Sequence, residues 1–344
     1  MFQERRLAAV IAYISNRLGL VDAYSLLRKQ ITKSQVIVLT YHRVGNPTEF
    51  PWNFPLVTMQ NFENQIKYLR KTYNIISLNT LVNHIRDREP MSGKSVVITF
   101  DDGYRNNFTH AYPVLKRYSI PATINLVTAH IGTGNLFWWD KIKYVLWNTK
   151  LKKIDLGEFG EHRLQSINDR VRLASNINQK LKIKPEKEKN LIIKKTIHVS
   201  GVHIPANLGK ELILSWDDIM EMNNNDITFG AHSLTHPNLA KLPTEQARHE
   251  ITCSKRSIEE RIGREVTVFC YPNGDFNTEI IKLVNDAGFY CAFTTTPRIV
   301  DSKTSFYELG RISGGWNLDT LKLFSCGAYS DLNTMLLRMR GKYN

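Results

Sequence analysis

Cysteine is scarce in this chain: Cys253, Cys270, Cys291 and Cys326 are the only four among 344 residues, and no two have C-x-x-C spacing. That argues against a thiol-metal or dithiol redox motif and reads as scattered buried thiols in a reducing compartment. No apolar run is long enough to span a bilayer, and no period of solenoid type recurs. Acidic residues are in deficit, 32 against 46 lysines and arginines, for a formal net charge of +14. Such a balance favours an anionic substrate, an acidic polymer or a membrane face, or is simply a solvated surface with surplus lysine. No helix-turn-helix, finger or aromatic-basic sheet motif accompanies the charge, so nucleic acid is not an expected partner. Histidine also stops early, at His249.

What is present is a globular composition, 42% hydrophobic and 23% charged. The length suits one large α/β barrel with insertions, or two smaller domains. The stretch Val96-Val97-Ile98-Thr99-Phe100-Asp101-Asp102-Gly103-Tyr104 organises the rest. A β-branched run of strand length reads as a buried parallel strand. It ends in two adjacent carboxylates, which leave a strand in different directions. One can hold a metal while the other holds a proton.

Val36 to His42 is a second buried strand, with His42 at its end. A loop follows with Phe50, Trp52 and Phe54. Helical and strand patterns then alternate through Ile120–Val127, which argues for a parallel sheet. Alternation ceases after Gly132 and resumes at Asp226–His232, Val266–Tyr271, Cys291–Thr295 and Leu309–Ile312. The expected organisation is an N-terminal amphipathic segment over 1–34, a barrel over 35–132 and 215–325, a basic, mostly helical insertion over 133–214, and a C-terminal tail or helix over 326–344. In the first segment Leu7, Val10, Ile11, Ile14 and Leu18 share a helical face. We read it as retained and covering the barrel bottom, with a membrane surface as the alternative. Were it instead a signal peptide, the protein would be secreted.

His232-Ser233-Leu234-Thr235-His236 follows a strand end, and histidines at i and i+4 meet one ion when the turn between them is helical. With one carboxylate they make an N,N,O set suited to Zn²⁺, and also to Co²⁺, Ni²⁺ or Fe²⁺. Both motifs sit at strand C-termini, the face where parallel barrels build active sites.

Thr99-Phe100-Asp101-Asp102-Gly103 resembles the first motif of the NodB-type polysaccharide deacetylases, carbohydrate esterase family four. His232 to His236 resembles the second motif, and Phe269-Cys270-Tyr271-Pro272-Asn273-Gly274 a variant of the third. Thr40-Tyr41-His42-Arg43-Val44 resembles the N-terminal Y-H motif of the poly-N-acetylglucosamine deacetylases within that family. The resemblance implies a distorted parallel (β/α)7-type barrel and a metal-dependent hydrolase. Asp102, His232 and His236 would bind the metal, and Asp101 would be the base. A backbone N–H near Asn273, in the segment with Tyr271, would hold the oxyanion. Cys270 stands where many members have a base-orienting arginine, and no late histidine is present to act as the acid. Arg311 and His42 are the expected substitutes. Trp52, Trp138 and Trp139 are candidates to stack on sugar rings, and Asp140 to contact substrate.

The expected activity is removal of acetyl from an N-acetylated sugar in a polysaccharide, oligosaccharide or lipid-linked precursor. The expected setting is cytoplasmic, with peripheral contact at the inner membrane face. The alternative is a non-catalytic glycan- or membrane-binding protein on the same fold.

Overall fold

A computed structural model describes residues 2–31, 34–52, 57–87, 93–300, 304–329 and 331. Phe54 and most of the expected C-terminal tail lie outside them. Two helices open the chain, α1 (Phe2–Arg17) and α2 (Leu20–Ile31). β1 (Ser34–Tyr41) leads to a short parallel pair, β2 (Val44–Gly45) and β3 (Val57–Thr58). α3 (Met59–Thr72) is capped by Thr58, whose hydroxyl accepts the Asn61 N–H at 3.2 Å. Then come β4 (Asn74–Ile75), α4 (Leu78–Asp87), β5 (Gly93–Phe100), α5 (Tyr112–Arg117) and β6 (Ala122–Leu126). From Ser95 onward β5 is wholly buried, which is why it reads as an unbroken apolar run.

Between β6 and the next barrel strand lie α6 (Trp138–Asn148), β7 (Lys153–Asp155), β8 (Glu161–Arg163), α7 (Ile167–Lys182), α8 (Glu186–Ser200) and α9 (Leu208–Leu212). The antiparallel β7–β8 hairpin is absent from the sequence expectation, because three-residue strands carry almost no period-two signal. This region has its own core, with Ile142, Val145, Leu146, Leu173, Ile177 and Leu181 packed together. The barrel resumes with α10 (Trp216–Asn223), β9 (Ile227–Ala231), α11 (Thr244–Ile262), β10 (Val268–Cys270), α12 (Thr278–Asp286), β11 (Cys291–Phe293), β12 (Ile312–Ser313) and α13 (Leu318–Ser325).

The main sheet runs β11-β10-β9-β6-β5-β1-β12, with β4 beside β5, and every pairing is parallel. Phe293 bridges Leu309 in parallel while Leu39 pairs with Ile312. The segment 309–313 therefore lies between β11 and β1 and closes the sheet. The result is the seven-stranded distorted barrel that the resemblance implies, with β4 as an eighth strand off the ring, and Arg311 sits on its closing segment.

The N-terminal helices lie at the strand-start end, where Lys94 of β5 donates to Ser25, but the apolar stripe is not the face that packs. α1 packs on α13 through Ala12 and Asn16, whose amide donates to the Asp319 carbonyl at 2.9 Å. Val10, Ile11, Ile14 and Leu18 point away from the barrel and are exposed. The close helix contact takes the small residues and leaves the broad apolar face outside.

Candidate metal centre

The strand ends of one barrel rim supply the polar groups. Asp101 leaves β5 with its N–H donated to the Tyr41 carbonyl at 2.9 Å. Asp102 follows at φ 74° and Gly103 at φ 73°, so the chain turns sharply and the two carboxylates diverge. Only six non-glycine residues among those described have positive φ, and four of them are Asp102, Ser233, His236 and Asn273. Each such residue costs roughly 1–3 kcal/mol, so strain is concentrated where the candidate motifs lie.

Asp101 is buried in a tight set of donors. Arg311 reaches it through both guanidinium ends, Nη1 to Oδ1 at 2.8 Å and Nη2 to Oδ2 at 2.7 Å. Asn125 adds Nδ2 to Oδ1 at 2.8 Å, and Thr40 adds Oγ1 to Oδ2 at 3.3 Å. Burial alone would raise its pKa, but the Arg311 guanidinium outweighs it and holds the carboxyl well below the ordinary range. Arg311 is itself fixed by Nε donating to the Thr294 carbonyl at 3.0 Å. Its Nη2 also lies 3.1 Å from the Cys270 Sγ. Cys270 thus packs against the arginine that has come from β12's side. Gly230 on β9 makes room for Asn125, because a Cβ there would fall 2.3 Å from the Asn125 Oδ1.

Asp102 faces the histidines. Its Oδ1 lies 3.6 Å from His232 Nε2 and 3.7 Å from His236 Nε2. The turn between the histidines is not helical; Ser233 and His236 both have φ 64°. Ser233 Oγ accepts the His236 N–H at 2.9 Å. Glu250 of α11 holds the turn from outside, accepting the Leu234 and Thr235 N–H groups at 2.9 and 2.8 Å and the Thr235 hydroxyl at 2.6 Å. His232 Nδ1 meets the Cys270 carbonyl at 2.7 Å, which leaves Nε2 as the lone-pair nitrogen facing Asp102.

Three ligand atoms, from Asp102, His232 and His236, thus lie within 4.8 Å of one another. Burial raises the Asp102 pKa well above the ordinary range, and the neighbouring Asp101 and Asp140 push the same way. Burial lowers that of His232, and lowers that of His236 well below its usual value, with His232 pushing His236 further. A carboxyl whose ionisation burial resists without a counter-charge, beside two imidazoles held neutral, is a donor set that fits a divalent cation.

His42 is open to solvent on one side, yet it stands within reach of the charges on Asp101, Arg311 and His232. Its protein-facing side lowers its pKa from 6.5; Arg311 and His232 lower it further and Asp101 opposes them. A π-helical turn at Asn107–Ala111 aims Asn107 Nδ2 at the His42 carbonyl, 2.9 Å away. Asn273 is half-buried in the turn after β10 at φ 59°.

The aromatic candidates separate. Trp139 lies edge-on to His236 at 4.7 Å between ring centroids, stacks on Phe137 at 4.5 Å, and donates Nε1 to Tyr104 Oη at 2.8 Å. Trp52 is buried edge-on to Tyr144, so its faces are not open to a sugar. Trp138 packs on the insertion's core under the Lys189 ammonium. The Tyr271 ring is buried against Phe276 and Phe269, so the side chain belongs to the core. Asp140 is fully buried and cannot meet substrate; it accepts Tyr104 Oη at 2.7 Å and pairs with Lys143 at 3.2 Å.

Sequence reasoning overlooked Asn125, Glu250, and Tyr104 as a partner of Asp140. Asn125 had a signal, as a lone amide in an apolar strand. Glu250, in the middle of an amphipathic helix, had none.

A sequence model of the polysaccharide deacetylase family matches residues 88–151 and 188–292, skipping 152–187 within the insertion. The poly-beta-1,6-N-acetyl-D-glucosamine N-deacetylase of Staphylococcus aureus (strain MSSA476) is 27% identical over 191 residues. That alignment covers 52% of this chain and 62% of that protein, a little under two thirds of its length. Among solved structures, IcaB from Ammonifex degensii aligns with TM-score 0.56 and 18% identity, over 86% of this chain and 98% of that one. The Streptococcus pyogenes deacetylase PplD aligns with TM-score 0.55 and 18% identity, over 82% and 93%. These two structures share the fold described above.

Proposed function

We propose that this chain, which carries a polysaccharide deacetylase domain, removes the acetyl group from an N-acetylated sugar in a polysaccharide, oligosaccharide or lipid-linked glycan precursor. One observation carries the reading: at a single barrel rim, the Asp102–His232–His236 donor set adjoins an Asp101 kept ionised by Arg311. A divalent cation on that set, zinc first and cobalt, nickel or iron as alternatives, would polarise the amide carbonyl and lower the pKa of a water. Asp101 receives the proton that the attacking water loses, and the bidentate arginine fixes which way the carboxylate faces. The main-chain N–H at Asn273 donates to the developing oxyanion, a role indifferent to side-chain identity. His42 delivers a proton to the departing nitrogen. Its lowered pKa keeps it neutral near pH 7, so the proton it delivers is the one Asp101 takes from the attacking water and passes on. Trp139 is the aromatic best placed to meet a sugar face beside the donor set.

The name of the Staphylococcus aureus relative makes N-acetylglucosamine polymers the first substrates to test. We infer a cytoplasmic setting with peripheral contact at the inner membrane face; N-terminal sequencing of the native protein tests it, since a cleaved leader would point to a secreted polymer instead. The decisive assay is acetate release from N-acetylglucosamine oligomers and related glycans by protein loaded with zinc or cobalt. Metal-loaded protein that releases no acetate from any of them would refute the reading. A non-catalytic binding role draws its support from the missing third-motif arginine, and Arg311 against Asp101 removes much of that support.

A further inference from the structure

We infer that the outward face of α1 and α2 is a docking surface for an anionic lipid bilayer. The inference is independent of the chemistry proposed for the rim. Seventeen large hydrophobic side chains stand exposed among the described residues, and eight of them fall between Val10 and Leu27. Val10, Ile14, Leu18, Leu20, Leu26 and Leu27 are each at least half exposed, from 50% to 67%. Their helices are nonetheless seated. Ala12 and Val21 are buried, Asn16 bonds to Asp319, and Tyr24 and Arg28 both bind Asp331. The pair is therefore inverted relative to an ordinary surface helix, with small or polar residues inward and large apolar ones outward.

Charge selects the occupant. Residues 2–31 carry Arg5, Arg6, Arg17, Arg28 and Lys29 against Glu4 and Asp22. An apolar face on a segment whose sequence is net basic matches the interface of an anionic bilayer, where burial and headgroup attraction add. A second copy of this chain would bring the same +14 charge to the contact, which opposes association. Docking here also leaves the rim open. Lys94, near the start of β5, donates Nζ to the Ser25 carbonyl at 3.0 Å and to its hydroxyl at 2.7 Å. Asp101 leaves the other end of that strand, seven residues and so roughly 23 Å away.

The test is co-sedimentation of the full chain with vesicles of phosphatidylglycerol and phosphatidylcholine, or of phosphatidylcholine alone, followed by sizing without lipid. The parent should sediment with the anionic vesicles and at least tenfold less with the neutral ones. Ile14→Gln, Leu18→Gln and Leu27→Gln combined should lose anionic-vesicle binding about tenfold, while circular dichroism and acetate release remain as in the parent. These positions are exposed, so folding is not at stake. No vesicle binding by the parent, equal binding by the triple variant, or a dimer that the triple variant dissolves would each overturn the inference.

Discussion

The barrel rim and the insertion are built from the same residue types, arranged in opposite ways. In the insertion most charges stay outside, with Lys189 over Trp138 and Asp140 as the buried exceptions. Lys153 and Glu161 pair at 2.6 Å with side chains 62% and 56% exposed, and Arg172 and Asp169 pair at 3.0 Å on a helix surface. Its interior is aliphatic. At the rim, Asp101, Asp102, Arg311, His232 and His236 are all buried, and the backbone carries four non-glycine residues at positive φ. Burying charges and straining a turn both cost stability. A fold retains such features where fixed geometry matters more than stability. One seam joins the regions: Asp140, at the start of α6, is buried and holds Tyr104 just after the Asp pair, while Trp139 beside it touches His236.

The largest expected effect breaks the comparison on the rim's side. Asp101→Asn should lower kcat by about 10²–10⁴-fold, the range for loss of a positioned acid–base group. Metal content, measured by elemental analysis, should remain one ion per chain. A variant as active as the parent would reassign the base. Arg311→Met comes next. Removing one partner of a buried pair costs about 3–5 kcal/mol, read as a fall in the denaturant midpoint. Arg311→Lys should recover little activity, because an ammonium cannot make the two-pronged contact with Asp101.

Much of the rim was legible in the sequence because strand ends announce themselves. The runs ending at His42, Asp101 and His232 stop abruptly at polar residues, and barrel geometry then brings those ends to one place. Arg311 was findable through the resemblance, which implies a base-orienting arginine where this chain has Cys270. Less legible were features in which one side chain serves either of two settings. Trp52 and Tyr271 have composition suited to sugar contact, and only packing reveals that Tyr144 and Phe276 already cover them. The N-terminal periodicity showed an apolar face correctly but not its direction, because Ala12 and Asn16 seat the helix without contributing to the pattern. Spacing alone lets the two histidines meet one ion when the turn between them is helical. Two left-handed residues and the Glu250 clamp bring the rings together instead.

The remaining predictions sharpen the contrast. Glu250→Ala should cost about 1–3 kcal/mol by leaving the Leu234 and Thr235 N–H groups without their acceptor. Because it acts on a turn that carries two ligands, it should also weaken metal binding about 10–100-fold, which chelator competition would read. His130, at the junction of β6 and the insertion, is a milder case. Burial lowers its pKa below 6.5, so the unfolded chain binds a proton more readily. Its neutral form stabilises the fold fully above pH 6.5, and that contribution declines as pH falls from 6.5 through the folded-state value. His130→Gln should flatten this part of the stability–pH curve relative to the parent; an unchanged slope would mean that other groups set it.

The smallest effect is expected where the insertion's charges meet water. Lys153 and Glu161 have the shorter contact of the two surface pairs, yet both side chains are more than half exposed, so solvent screens the attraction and ordering two long chains offsets it. Lys153→Gln should leave the denaturation midpoint unchanged at low and high salt, and leave acetate release unchanged as well. A salt-dependent loss of stability in that variant would show that the insertion too relies on placed charge, and the contrast with the rim would then be one of burial alone.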